Sequence, residues 1–329
     1  MDDSVKSILI EFGIKNIVSH TELPNKESYR KIVIESDSNY ILKEFKNIDE
    51  EAIKFITAVQ EYLIYKKVSI PRIYKTESGV AYLQKEDSYW TLNEFIGDGI
   101  SYENKELNKD EIYSAGKLLG MVHKELGNID IPTQRFIANL HTIEDSLEKI
   151  LKLEEYYISD VEYSNILDYK YNELLRFSND KFKLISKLPM QMIHGDFHKG
   201  NLLYNKNMNS IMLIDFENVC VFYKTQELLR AATFLCYDPK EGTLNTINNI
   251  IAFISGYISV NDITDIEKTS MLDLFYYSML TSLYGLFIGQ NELEKNQELR
   301  KYVLYKFDML KWLKANHHHL SERMQGILN

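Results

Sequence analysis

The chain has 329 residues, 45% of them hydrophobic and 26% charged, and a net charge of −10. That length supports two lobes with substantial cores, and an acidic balance without a long basic cluster argues against nucleic acid as a partner. Cys220 and Cys236 build no disulfide framework, no apolar run approaches the roughly 20 residues of a membrane helix, and Met1-Asp2-Asp3-Ser4 lacks signal-peptide character, so a cytoplasmic protein without a membrane partner is expected.

In chain order, Val5, Ile8, Leu9 and Phe12 give residues 4–14 a helical face closed by Gly13. Residues 29–35 and 40–45 read as strands around the turn Ser36-Asp37-Ser38-Asn39, and the second carries Lys43. Alone, a lysine on an alternating strand is a solvated side chain. Glu22-Leu23-Pro24-Asn25-Lys26-Glu27-Ser28-Tyr29, just before, contains no glycine. Residues 49–67 form a helix with Ile53, Ile56, Val59 and Leu63 on one face and Asp49-Glu50-Glu51 at its N-terminus, where acids suit the dipole. Strands at 72–75, 81–85 and 89–95 complete a five-stranded antiparallel sheet around one helix. The last runs through Glu94 and Ile96 into Gly97-Asp98-Gly99, a hinge.

Beyond the hinge the pattern is helical: 110–126, then 142–158 and 161–186, whose mixed charges suit solvated faces. Helices at 224–236, about 245–258, 262–289 and 293–315 follow. Asp262, Asp265, Glu267, Asp273, Glu292, Glu294, Glu298 and Asp308 scatter through the last three and read as solvated faces. His317-His318-His319 would diverge by about 100° per residue on a helix, so they do not line up as metal ligands. Residues 320–329 read as a tail.

Residues 190–219 hold the chemistry. His194-Gly195-Asp196-Phe197-His198-Lys199-Gly200-Asn201 lies between apolar runs, and Ile211-Met212-Leu213-Ile214 leads into Asp215-Phe216-Glu217. Magnesium-assisted phosphoryl transfer needs one carboxylate to orient the attacking hydroxyl and further oxygen ligands to hold metal against the phosphates. Asp196 suits the first task; Asn201 and Asp215 suit the second. No G-x-S-x-G elbow, C-x-x-C or H-E-x-x-H motif offers a competing chemistry.

The spacing from Asp196 to Asn201 equals that of the protein-kinase pattern H-R-D-L-x-x-x-N, and Asp215-Phe216-Glu217 stands where D-F-G would stand. Gly195 and Glu217, in place of Arg and Gly, point away from protein kinases. H-G-D-x-H-x-x-N followed by I-D-F-E resembles the aminoglycoside phosphotransferase and choline kinase superfamily, closest to its bacterial spore-coat kinase-like branch. The resemblance implies an α+β, bilobal protein-kinase-like fold. A small antiparallel sheet plus helix would occupy residues 1–96 and a large, mostly helical lobe residues 97–329.

It further implies ATP between the lobes, with Lys43 on the α/β-phosphates and backbone groups of Glu94 and Ile96 at the adenine edge. Asn201 and Asp215 would hold Mg2+, and Asp196 would align a small-molecule hydroxyl and accept its proton. His194 would buttress the loop. His198, grouped with Asp196 as catalytic, would touch the γ-phosphate or substrate or be structural. His123 resembles the L-x-x-L-H histidine that orders the catalytic region, and Glu227 stands where relatives carry a supporting Asp. The glutamate that relatives pair with the lysine falls on Ile56 here, leaving Glu51 as nearest substitute. The glycine-free loop and this missing glutamate give the alternative: a weak or inactive kinase-fold component of a spore coat.

Overall fold

The computed structural model describes residues 3–23, 29–97, 99–102, 105–131, 134–205, 209–287 and 297–328. The glycine-free stretch at 24–28, Asp98, Glu292 and Glu294 lie outside them.

Helix α1 (Asp3–Glu11) buries Val5, Ile8 and Leu9. They pack on Ile32, Ile34, Leu42, Trp90 and Leu92, the inner residues of the sheet that follows. That sheet contains β1 (Ser19–Glu22), β2 (Tyr29–Glu35) and β3 (Asn39–Lys46). After α2 (Glu50–Tyr65) come β4 (Ile73–Tyr74), β5 (Leu83–Lys85) and β6 (Ser88–Glu94). It is six-stranded, in the order β1-β2-β3-β6-β4 with β5 also on β6, and every pairing is antiparallel. The additional strand is β1: Ser-His-Thr-Glu is polar and faces solvent at the edge, so it carries no apolar alternation to announce it.

Alternation along β2 and β3 decides what reaches the site. Ile32, Ile34 and Leu42 turn toward α1, so Lys31 and Lys43 share the opposite face, and the register pairs them directly. Asp49 caps α2, its carboxylate accepting from the Ala52 amide at 2.9 Å, which explains the helix start.

After the short β7 (Ile100–Ser101) the chain is mostly helical. α3 (Lys109–Leu126), α4 (Ile143–Tyr156), α5 (Val161–Arg176) and α6 (Asn179–Ile185) precede the catalytic-loop region. There β8 (Gln191–Ile193), β9 (Leu202–Asn205), β10 (Ser210–Leu213) and β11 (Cys220–Phe222) pair β10-β9-β7 and β11-β8. α7 (Lys224–Cys236), α8 (Thr243–Ile258), α9 (Asp265–Thr281) and α10 (Gln297–Leu328) close the chain. Gly116 of α3 and Gly256 of α8 let these helices touch: a Cβ at either would stand 1.9 Å from the Phe253 carbonyl or 2.0 Å from the Tyr113 carbonyl. The expected tail is instead the end of α10, with Leu320, Met324 and Leu328 buried at four-residue spacing. No helix among the described residues is long and apolar enough to cross a membrane.

Candidate active site

The loop from His194 to Asn201 joins β8 to β9 and is held from behind by one buried carboxylate. Glu227, on α7, accepts from the His194 amide at 3.0 Å and the Phe197 amide at 3.4 Å, and its Oε2 meets His123 Nε2 at 2.8 Å. His123 Nδ1 faces the Tyr257 hydroxyl at 3.0 Å, which ties α3, α7 and α8 to the loop. His194 is fully buried; its Nδ1 accepts from the Asp196 amide at 3.3 Å, so Nε2 carries the proton and donates to the Ile214 carbonyl at 3.2 Å. Burial lowers the His194 pKa and keeps the ring neutral, against the opposing pull of Glu227 and Asp196. Gly195 lies at φ +83°, and a Cβ there would stand 2.1 Å from the Asn218 carbonyl oxygen. Only glycine fits.

Asp196 is gripped by three side chains. Arg230 Nη2 donates to Oδ1 at 3.1 Å; His198 Nε2 and Asn201 Nδ2 each lie 3.3 Å from Oδ2. His198 Nδ1 accepts from the Gly200 amide at 3.0 Å, so the proton sits on Nε2 and points at the carboxylate. Burial alone would raise the Asp196 pKa, but the His198 hydrogen bond and the Arg230 charge overcome it and hold the carboxyl well below the usual range. Asn201 Nδ2 also donates to the Asp196 carbonyl at 2.9 Å, which turns its Oδ1 away from Asp196.

Across the cleft Asp215 meets the sheet. Its Oδ1 is 2.5 Å from Lys43 Nζ and its Oδ2 2.7 Å from Lys31 Nζ. Glu217 Oε1 takes a second bond from Lys43 at 2.8 Å. Asp215 adopts φ 63°, a left-handed conformation that Asp tolerates better than most residues. Burial opposes its ionisation, but the two ammonium groups prevail and keep its carboxyl well below the usual range. Burial likewise opposes the Lys43 charge, and Glu217 with Asp215 raises its pKa above the ordinary lysine value. Glu51, the sequence-based substitute for the lysine's partner, lies elsewhere: it pairs with Arg135 at 2.9 Å on the surface. Ile56 is buried in the core. The acid that answers Lys43 comes from the other side, as Glu217.

Lys43, Glu94, Ile96 and Asp215 line one cleft of ≈ 890 Å³, with Ile41, Leu203 and Ile214 as apolar walls. The Glu94 amide donates to the Arg72 carbonyl at 2.8 Å, and the Arg72 amide donates to the Glu94 carboxylate at 3.2 Å. The Ile96 amide has no hydrogen bond among the described residues.

Of the seven site residues expected from sequence, Lys43, Glu94, Ile96 and Asp215 line the cleft, and Asp196, His198 and Asn201 cluster in the loop whose Asn201 carbonyl accepts from the Ile214 amide at 3.0 Å, next to Asp215. Lys31, Arg230 and the pairing of Glu217 with Lys43 escaped sequence reasoning. Lys31 had the same signal as Lys43, a lysine on an alternating strand, two positions into the first arm of the hairpin. Among the described residues no three His, Cys, Asp or Glu side chains form a metal cluster. His317 pairs with Asp273 and His318 with Glu322. Asp265, Glu298 and Asp308 pair with lysines three residues on, as expected of solvated faces. Glu267 departs from that pattern: it is buried, and its carboxylate caps α9 by accepting from the Thr264 amide at 2.9 Å.

The sequence model of the phosphotransferase enzyme family (APH) matches residues 21–249, well over half of the chain. No curated protein sequence matches it. Among solved structures, an amicoumacin kinase (hAmiN) in complex with AMP-PNP, Ca2+ and Ami is similar at a TM-score of 0.67 and 16% identity, covering 96% of each chain. A microcompartment-associated aminopropanol kinase is similar at 0.63 and 15% identity, covering 98% of this chain and 100% of that one. Choline kinase LicA from Streptococcus pneumoniae gives 0.58 and 14%, covering 95% and 97%. At these identities the likeness is one of fold, an α+β kinase-like architecture, while the sequence match is one of family. The chain belongs to the phosphotransferase enzyme family.

Proposed function

We propose that this chain transfers the γ-phosphoryl group of ATP to a hydroxyl of a small molecule, in the cytoplasm, within a cleft between a lobe of residues 1–96 and one of residues 97–329. The observation that carries the reading is the placement of Lys43 and Asp215 in the cleft with the Asp196 loop beside it, where the Asn201 carbonyl accepts from the Ile214 amide at 3.0 Å. The Asp196 and Asp215 carboxylates are each already held by cations. Lys43 reaches the α/β-phosphates, and backbone groups of Glu94 and Ile96 meet the adenine edge. Asp196, oriented by His198 and Arg230, aligns the acceptor hydroxyl. As the acceptor oxygen bonds to the γ-phosphorus and the bond to the ADP oxygen breaks, Asp196 takes the hydroxyl proton. A loose transition state asks little basicity of it, so a strongly acidic carboxyl suffices.

The donors present suit magnesium. Asn201 Oδ1 and the Asp215 carboxylate are hard oxygen ligands, and a magnesium site of this kind needs only one or two carboxylates beside the substrate's phosphates. Asn201 and Asp215 would hold magnesium there, and it would supply neutralisation of charge on the phosphoryl oxygens.

Within the family the spore-coat kinase-like branch suits a chain with Ile56 buried where relatives carry a helix glutamate. One observation favours a second reading, a weak or inactive scaffold of a spore coat: Lys31 occupies Asp215 Oδ2, an oxygen that a metal would use. Calorimetry of Mg·ATP binding, with phosphoryl transfer to aminoglycosides, choline, homoserine, methylthioribose and coat sugars, separates the two. Transfer to any acceptor supports the kinase; binding without transfer leaves the scaffold; absence of nucleotide binding refutes the enzyme.

A further inference from the structure

Two lysines stand over Asp215. Lys31 and Lys43 are register partners on β2 and β3, and both line the cleft. Each takes one oxygen of the same carboxylate, Lys31 at 2.7 Å from Oδ2 and Lys43 at 2.5 Å from Oδ1. Like charges directly opposite one another on a sheet repel, so the pair costs stability unless anions face it. Asp215 and Glu217 supply two, which balances the two ammoniums. Were Asp215 engaged by a divalent cation, Lys43 would keep Glu217 at 2.8 Å, and Lys31 would turn to the next anion in the cleft.

The local structure lets the side chain make that move while the strand stays fixed. The Lys31 carbonyl accepts from the Leu23 amide at 2.9 Å, and β3 pairs along the other edge of β2. The Lys31 side chain is 17% exposed against 9% for Lys43, so it is the more accessible of the two. Its flexible four-carbon stem allows the ammonium to exchange acceptors. The sequence gives a reason for a second lysine here. Glu22 to Tyr29 contain no glycine, the residue that lets backbone amides close most tightly round a phosphate. Lys31 follows two positions later with a charged side-chain donor.

We propose that Lys31 is a second phosphate-binding lysine, which holds Asp215 Oδ2 until nucleotide binds and passes to the triphosphate when that oxygen is given to a metal. The proposal rests on the reading of this cleft as a nucleotide site.

The test is calorimetry on the full chain with AMP-PNP and with adenosine, each in EDTA and in excess Mg2+, for the wild type, Lys31→Gln and Lys31→Arg. In EDTA, Lys31→Gln should bind AMP-PNP about tenfold more weakly, the scale of one charge-assisted hydrogen bond. Its adenosine affinity and circular dichroism spectrum should stay those of the wild type. Lys31→Arg keeps the charge and should restore AMP-PNP affinity to within about threefold. Mg2+ should raise AMP-PNP affinity by a larger factor in Lys31→Gln than in the wild type, because no ammonium has to leave Oδ2. Unchanged AMP-PNP binding by Lys31→Gln in EDTA would overturn the proposal, and tighter binding would make Lys31 a block on Asp215. A parallel loss of adenosine affinity would overturn it too, reducing Lys31 to a wall of the cleft. So would a wild type that binds AMP-PNP in Mg2+ but not in EDTA. A wild type that binds it in neither would refute the nucleotide reading itself, and the proposal with it.

Discussion

Lys43 and Asp215 meet at 2.5 Å, one from the middle of an antiparallel strand and the other from the residue that ends the apolar run of β10. The contact joins the sheet to the catalytic-loop region, and Glu217 and Lys31 extend it into a largely buried group of two carboxylates and two ammoniums. Neither side chain has another reason to be buried. Lys43→Met should therefore lower AMP-PNP affinity and reduce phosphoryl transfer by about 10²-fold or more, the scale of losing one charged donor at the phosphates. Calorimetry and turnover check both. Glu51→Ala, which breaks a surface pair with Arg135, should leave AMP-PNP affinity unchanged.

Glu227 collects the amides of His194 and Phe197 and the His123 ring in a buried position. Glu227→Gln puts an NH2 group among those donors. The expected cost is about 3 kcal/mol of stability, because a buried donor is left facing a donor. Urea denaturation measures it, and kcat should fall more than nucleotide affinity, since the loop and not the cleft loses its support.

Gly195 holds φ +83° with its α-carbon against the Asn218 carbonyl. Gly195→Ala forces the loop off that carbonyl and moves Asp196, so transfer should be abolished and the melting temperature lowered. AMP-PNP binding should survive in the fraction that folds. A variant with wild-type turnover would contradict the tight approach.

Burial keeps His194 neutral in the fold by lowering its pKa, whereas in the unfolded chain it titrates near about 6.5. As pH falls through that value the unfolded chain gains a proton that the folded chain does not. The stability this group contributes is therefore complete above about 6.5 and is lost as pH falls below it. Asp196 and Asp215, both held below the usual range, lose their contributions only further down, below the ordinary carboxylate value near about 4. Urea denaturation between about pH 7.5 and pH 5.5 should show falling wild-type stability and a shallower fall for His194→Asn. Equal slopes would contradict the assignment.

The catalytic loop was legible because its working residues are near neighbours in sequence and their types are chemically restrictive. Asp196, His198 and Asn201 fall within one short loop, and Asp215 marks the end of an apolar run. The small sheet apart from β1 and most of the helices followed from periodicity, although the stretch expected at 161–186 divides into α5 and α6 at Phe177-Ser178, and α1, α2 and α3 came within a few residues of expectation. Arg230 and Lys31 were not legible, because each meets its carboxylate only after distant elements pack: α7 against the loop, β2 beside β3. The acid that pairs with Lys43 stands not on α2 but just after Asp215, as Glu217, and the two meet only once the sheet packs on the loop. The end of α10 was not legible as helix because its buried stripe is sparse: Leu320, Met324 and Leu328 stand among mostly polar residues.

The central claim is that Asp196 aligns the acceptor hydroxyl and does not bind the nucleotide. Asp196→Asn keeps the size of the side chain and removes its charge. With Mg·ATP, single-turnover transfer to an acceptor the wild type phosphorylates should fall by about 10²- to 10⁴-fold, the range for losing a positioned base. AMP-PNP affinity should stay within about threefold of wild type, since Lys43 and Asp215 are untouched. Wild-type transfer by D196N, or loss of nucleotide binding together with transfer, would contradict the account.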